Sequence, residues 1–212
     1  QVVSVFSPAP DLVPVSFDLA DVDLDGDPDL WVSGPATAGP STVLYLNRWQ
    51  ENGSLRFERS PQAVPGLLAG QLQAGDYNDD GYADLALAGQ TGPAATDRLT
   101  AIYANPGAGG GSFSEDARAS GLLQGVDAGA ALAWGDVDGD GKLDLALAGR
   151  SQSGPDQQVL HLYRNDEPTA NVVPGMPVNL TNTVDGNTML LGWELPAGAD
   201  SLQAAGYSFN LF

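Results

Sequence analysis

The chain has 212 residues, with 27 acidic against 8 basic side chains for a net charge of −19, no cysteine, and 42% hydrophobic residues including four tryptophans. That balance excludes a nucleic-acid partner, which needs a basic patch for phosphate, and it is too apolar for a disordered chain. The lack of cysteine removes thiolate metal sites, disulfides and cysteine nucleophiles, and no run of about 18 apolar residues exists to cross a membrane.

The chain begins at Gln1 with neither a start Met nor a leader, and so reads as a processed or excised piece of a longer secreted protein. About twenty residues on, Asp21 opens the segment DVDLDGDPDL. The same pattern, D-x-[DN]-x-D-G-x-x-D-L, returns as DYNDDGYADL from Asp76 and DVDGDGKLDL from Asp136, after steps of 55 and 60 residues. Oxygen-bearing side chains recur at positions 1, 3, 5 and 9. They are Asp21, Asp23, Asp25 and Asp29, then Asp76, Asn78, Asp80 and Asp84, then Asp136, Asp138, Asp140 and Asp144. Calcium takes 6–8 oxygen ligands at about 2.3–2.6 Å in a flexible geometry. Wrapping it with alternate residues needs a sharp turn midway, which Gly26, Gly81 and Gly141 supply because glycine tolerates positive φ. Position 7 varies (Asp27, Tyr82, Lys142), as expected if it offers a backbone carbonyl and points its side chain outward. One Ca²⁺ per loop, three in all, is the expectation; magnesium rarely uses such an all-protein cage. An EF-hand is excluded because position 12 is Val32, Leu87 or Leu147 where a bidentate Glu is required, and no helices flank the loops.

Each loop runs into a short strand: Leu30–Ser33, Leu85–Ala88 and Leu145–Ala148. A Gly/Pro/Ser/Thr-rich turn follows, then a second strand with an L/I-Y-x-N core, Leu44–Asn47, Ile102–Asn105 and Leu162–Asn165. A glycine-bearing hairpin leads to a third strand around Phe57 or Phe113, and GLLAGQLQAG or GLLQGVDAGAALAWG leads into the next loop. Period-2 alternation with Gly/Pro punctuation predicts strands throughout and no sustained helix. Four short strands in a repeat of this length form a β-propeller blade. Alternate alanines in LALAG leave one face small, so neighbouring sheets can approach closely.

These residues resemble the FG-GAP/VCBS repeats of integrin α-subunit propellers and bacterial surface proteins. The resemblance covers residues 1–168. It implies a calcium ion in each loop between the first two strands of a blade, and partner binding by other loops on the opposite face. The literal Phe-Gly and Gly-Ala-Pro marks are replaced by SFDLADVD, LQAGDYND and LAWGDVDG, closer to the bacterial variants. Three loops give about three blades, while closed rings need 4–8. The expectation is an all-β chain whose blades belong to a larger ring, for example a seven-bladed one, with upstream blades missing; a ring completed by several chains and an open array are the alternatives.

Near residue 168 the composition shifts to a Pro-rich linker, DEPTANVVPGMP. Residues 169–212 then predict strands at Val178–Thr183, at Thr188–Glu194 and from Tyr207. The Pro-x-Asn-Leu start, Trp193 and Tyr207 resemble the opening of a fibronectin type III domain. Such a β-sandwich needs about 100 residues, so this one is partial.

No catalytic set emerges. His161, the single histidine, aligns with Val43 and Ala101 on an apolar-tolerant strand position and reads as structural. The clustered carboxylates are claimed by the loops, and the tryptophans read as packing. Ala108–Ser112 (AGGGS) lacks the lysine and helix of a phosphate loop. Asn179-Leu180-Thr181 is a glycosylation sequon only in a glycosylating host. Because calcium is scarce in the cytosol, weak calcium loops favour a secreted or cell-surface setting. The sequence therefore predicts a non-catalytic, calcium-binding module for adhesion or ligand binding, with an extracellular protein or glycan as partner and no membrane insertion. The alternatives are an accessory region of a secreted hydrolase whose catalytic domain lies elsewhere, or a subunit that self-assembles through sheet edges.

Overall fold

The structure, a computed structural model, describes residues 11–94, 96–127, 129–151, 158–167, 178–185 and 188–194. Among them the architecture is all-β, in small antiparallel sheets. The first sheet runs in the order β1 (Ser16–Ala20), β2 (Asp29–Gly34), β3 (Ser41–Asn47), β4 (Phe57–Ser60). The second repeats it with β5 (Ala69–Gly75), β6 (Asp84–Gln90), β7 (Arg98–Ala104) and β8 (Ser114–Glu115). The third comprises β9 (Ala131–Gly135), β10 (Asp144–Arg150) and β11 (Gln158–Tyr163), three strands among the described residues. A hairpin of β12 (Val178–Asp185) and β13 (Thr188–Glu194) forms a separate sheet. The expected linker around 168–177 and the strand from Tyr207 lie outside the described residues.

Register is the same in every blade: Trp31 faces Leu44, Ala86 faces Ile102, and Ala146 faces Leu162. The second strand of each blade is central, and β6 is buried along both faces from Asp84 to Gly89. Hence LALAG reads as a nearly continuous apolar run. Its large residues (Leu85, Leu87) pack toward the first sheet, and its small ones (Ala86, Ala88) toward the third. Trp31, fully buried, fills the space between the first two sheets and meets Phe113 edge-on at 4.9 Å. Phe113 itself precedes β8, a strand only two residues long.

Two one-turn helices depart from the all-strand expectation: α1 (Trp49–Asn52) and α2 (Ala117–Ser120). Four residues are too few for a 3.6-residue period to register. The signal for α2 was Asp116, which caps it by accepting from the amides of Arg118 (2.9 Å) and Ala119 (3.0 Å).

Blades are joined along their first strands by polar side chains that reach the free edge of the next sheet. Ser16 Oγ accepts from Leu72 N (3.0 Å) and Asp18 Oδ2 from Ala74 N (2.8 Å). Gln71 and Gln73 do the same for Leu132 N (2.7 Å) and Trp134 N (3.1 Å). The matching positions of the third blade are Ala131 and Ala133, which have nothing to offer a fourth.

Candidate metal centre

Each acidic loop joins the first and second strands of its blade and is held open by its own backbone. The position-1 carboxylate accepts from the glycine at position 6: Asp21 from Gly26 (3.0 Å), Asp76 from Gly81 (2.8 Å), Asp136 from Gly141 (2.9 Å). The position-5 carboxylate accepts from position 7: Asp25 from Asp27 N (3.1 Å), Asp80 from Tyr82 N (2.9 Å), Asp140 from Lys142 N (2.9 Å). Gly26, Gly81 and Gly141 have φ of 96°, 89° and 88°, the left-handed turn expected of them. Position 4 is left-handed too, with φ of 58° at Leu24, 58° at Asp79 and 79° at Gly139. Nothing in the identity of Leu24 announces this, and a non-glycine residue there carries about 1–2 kcal/mol of strain.

Position 9 is the deepest. Asp29, Asp84 and Asp144 are buried, and both oxygens of each are used by backbone amides. Asp29 accepts from Val22 N (2.9 Å) and Asn47 N (2.8 Å). Asp84 accepts from Tyr77 N (3.1 Å) and Asn105 N (2.8 Å), and Asp144 from Val137 N (2.9 Å) and Asn165 N (2.8 Å). Burial pushes Asp29 and Asp84 up to about 7, against the pull of these amides and aided by neighbouring loop carboxylates. Burial likewise raises Asp21, Asp23, Asp25 and Asp76 above the usual carboxylate range.

The asparagine that ends each L/I-Y-x-N strand completes the frame, a role the sequence reading missed. Asn105 Nδ2 donates to Ala83 O (3.1 Å) in its own loop and to Val22 O (2.9 Å) in the preceding one. Asn165 Nδ2 donates to Leu143 O (3.2 Å) and Tyr77 O (2.6 Å) in the same way. Their constant place in three repeats was the available signal.

The carboxylates of Asp21, Asp23 and Asp29 offer oxygens within 4.8 Å of one another, as do those of Asp136, Asp138 and Asp144. Positions 1, 3 and 9 thus converge in the first and third loops. Asp140 falls outside its trio, and Asp25 groups instead with Asp27 and Glu51. In the second loop Asn78 replaces a carboxylate at position 3, and its Oδ1 accepts from Asp80 N (3.0 Å). Asp21 Oδ1, Asp25 Oδ2 and Asp27 Oδ1 are buried with no hydrogen-bond partner. Hard oxygen donors in this state fit a calcium ion, which at the trio of positions 1, 3 and 9 would satisfy Asp21 Oδ1 and relieve the repulsion.

Position 7 differs from expectation. Its side chains turn inward, onto the segment after the L/I-Y-x-N strand. Asp27 is buried and accepts from Gln50 N (2.9 Å). Tyr82 is buried against Gly107, where an added Cβ would meet its ring at 3.2 Å. Lys142 is half-buried, and its Nζ donates to the Glu167 carbonyl. The reason is geometric: the loop and that segment leave the same sheet edge side by side.

Beside the second and third loops, a cleft of about 180 Å³ opens between the second and third blades, lined by Tyr77, Asp116, Arg118, Trp134, Tyr163 and Glu167. Tyr77 and Trp134 stack at 6.4 Å, and the Tyr77 hydroxyl donates to Asp116. Burial, then the bond to Asp116, raises the Tyr77 hydroxyl above its ordinary range. His161 lies on β11, its Nδ1 hydrogen-bonded to the Tyr163 hydroxyl at 3.0 Å and its ring meeting that of Tyr163 edge-on.

The family model described as FG-GAP-like repeat matches residues 21–87 and again residues 76–147, each match opening on the first aspartate of a loop. No curated protein matches the chain, and no solved structure does.

Proposed function

The chain belongs to the FG-GAP-like repeat family, whose match covers more than half of it, and from that membership we propose a non-catalytic, calcium-stabilised extracellular module for adhesion or ligand binding. The observation that carries the metal is the convergence of positions 1, 3 and 9 beside buried carboxylate oxygens without partners. Calcium is structural in this reading: it fixes the loops that lock each blade to the next. The partner is an extracellular protein or glycan. The cleft beside the third loop supports this, because stacked aromatic rings with charged groups at the rim suit a saccharide or peptide. Glycan and matrix-protein arrays probed in calcium and in chelator test the proposal. Binding that needs calcium and is lost in Arg118→Glu agrees with it. Turnover of a polysaccharide, ester or peptide substrate that one carboxylate substitution abolishes, with fold and calcium binding intact, refutes it.

A second reading, that further blades or other copies of the chain complete the ring, is favoured by bare faces at both ends of the array. Leu160 and Leu162 on β11 are 80% and 58% exposed, whereas Thr100 and Ile102 at the same places in the second blade are buried. At the other end Phe17 is 70% exposed, whereas its counterparts Leu72 and Leu132 are buried. Exposed apolar faces of this kind mark contact surfaces. Sedimentation of the chain and of Leu160→Asp tests self-association; a monomer in both cases leaves upstream or downstream blades as the occupant.

A further inference from the structure

We propose that the first loop holds a second divalent cation, on the carboxylates of Asp25, Asp27 and Glu51. The inference rests on the reading that these loops bind calcium, and adds a fourth ion to the three expected. The three residues offer oxygens within 4.8 Å of one another. Asp27 is 5% exposed; its Oδ2 accepts from Gln50 N (2.9 Å), and its Oδ1 is buried without a partner. Asp25 is held by Asp27 N through Oδ1 (3.1 Å), and its Oδ2 is likewise buried and unpartnered. Two orphaned carboxylate oxygens side by side are costly unless a cation lies between them.

Charge points the same way. The first loop and α1 bring together six carboxylates: Asp21, Asp23, Asp25, Asp27, Asp29 and Glu51. Arg48 lies between the two trios, donating to Asp23 (3.3 Å) and Glu51 (2.8 Å), and supplies one positive charge. One Ca²⁺ and Arg48 together leave half of the six charges uncompensated. The other loops lack the device: position 7 is Tyr82 or Lys142, and the residues matching Glu51 are Gly109 and Thr169. The donor set is all carboxylate, with one member on an exposed helix. Such a flexible site suits calcium better than magnesium, which demands near-ideal octahedral geometry.

Equilibrium dialysis of the whole chain in calcium, with bound metal counted by atomic absorption, tests the proposal. The expected result is four equivalents per chain, falling to three in Glu51→Gln and in Asp27→Asn. Glu51 is exposed, so Glu51→Gln keeps its fold, and a melting curve on each variant verifies this. A count that Glu51→Gln leaves unchanged overturns the second site whatever its value. No bound calcium at all overturns the three-loop reading as well, so the two failures are distinct.

Discussion

Replacing Asp84 by alanine probes the frame that supports each loop, independently of metal. Its two oxygens accept from Tyr77 N (3.1 Å) and Asn105 N (2.8 Å), and the side chain is fully buried. Alanine leaves both amides buried without an acceptor, and each such orphan costs about 1–3 kcal/mol, for a gross loss of about 2–6 kcal/mol. Burial that pushes the carboxyl up to about 7 works against the native state, and its relief offsets part of this. The net expectation is a loss of about 2–4 kcal/mol in unfolding free energy. Denaturant unfolding in chelator is the assay, because it removes any contribution from calcium ligation. Asp84→Asn keeps one carbonyl acceptor and should lose about half as much as alanine. A loss below about 1 kcal/mol for alanine, or equal losses for the two variants, would refute the argument.

Three further outcomes follow from the same geometry. Asn105→Ala removes the donor to Val22 O and Ala83 O, and denaturant unfolding should show about 2–3 kcal/mol lost. Leu24→Asn should raise stability by about 1 kcal/mol, since asparagine tolerates the left-handed φ of 58° at this position, and a melting curve in chelator reads it. Asp29 and Asp84 have folded values near 7 against an ordinary 3.8, so the metal-free fold binds protons that the unfolded chain releases. Their contribution is fully present below about pH 4 and is lost as pH rises through 7. Calcium needs the deprotonated form, so its affinity at these sites should climb from pH 5 to 8, by up to about a hundredfold. Titrations at four pH values check this, and a flat profile would contradict it.

Much of this was legible in the sequence because the loop was written three times in one register. Repetition made the carboxylates at positions 1, 3, 5 and 9 stand out, and alternation of leucine and alanine gave the buried central strands. What stayed hidden depends on contacts between distant segments. The inward turn of Asp27, Tyr82 and Lys142 is set by the segment beyond the L/I-Y-x-N strand, some twenty residues on. Glu51 joins Asp25 and Asp27 only through that same juxtaposition. Asn105 looked like a strand end, yet it fastens two loops, in one of its bonds reaching Val22 across 83 residues of sequence. The left-handed backbone at Leu24 follows from the closure of the loop, which no propensity of leucine reveals.

Everything proposed for these loops depends on calcium holding the three of them together. Melting curves of the whole chain in EDTA and in millimolar calcium test it most directly. Each site occupied at about a hundred times its dissociation constant adds about 2.7 kcal/mol. The midpoint should be higher by several degrees in calcium, reversibly on chelation. Superimposable curves would contradict it.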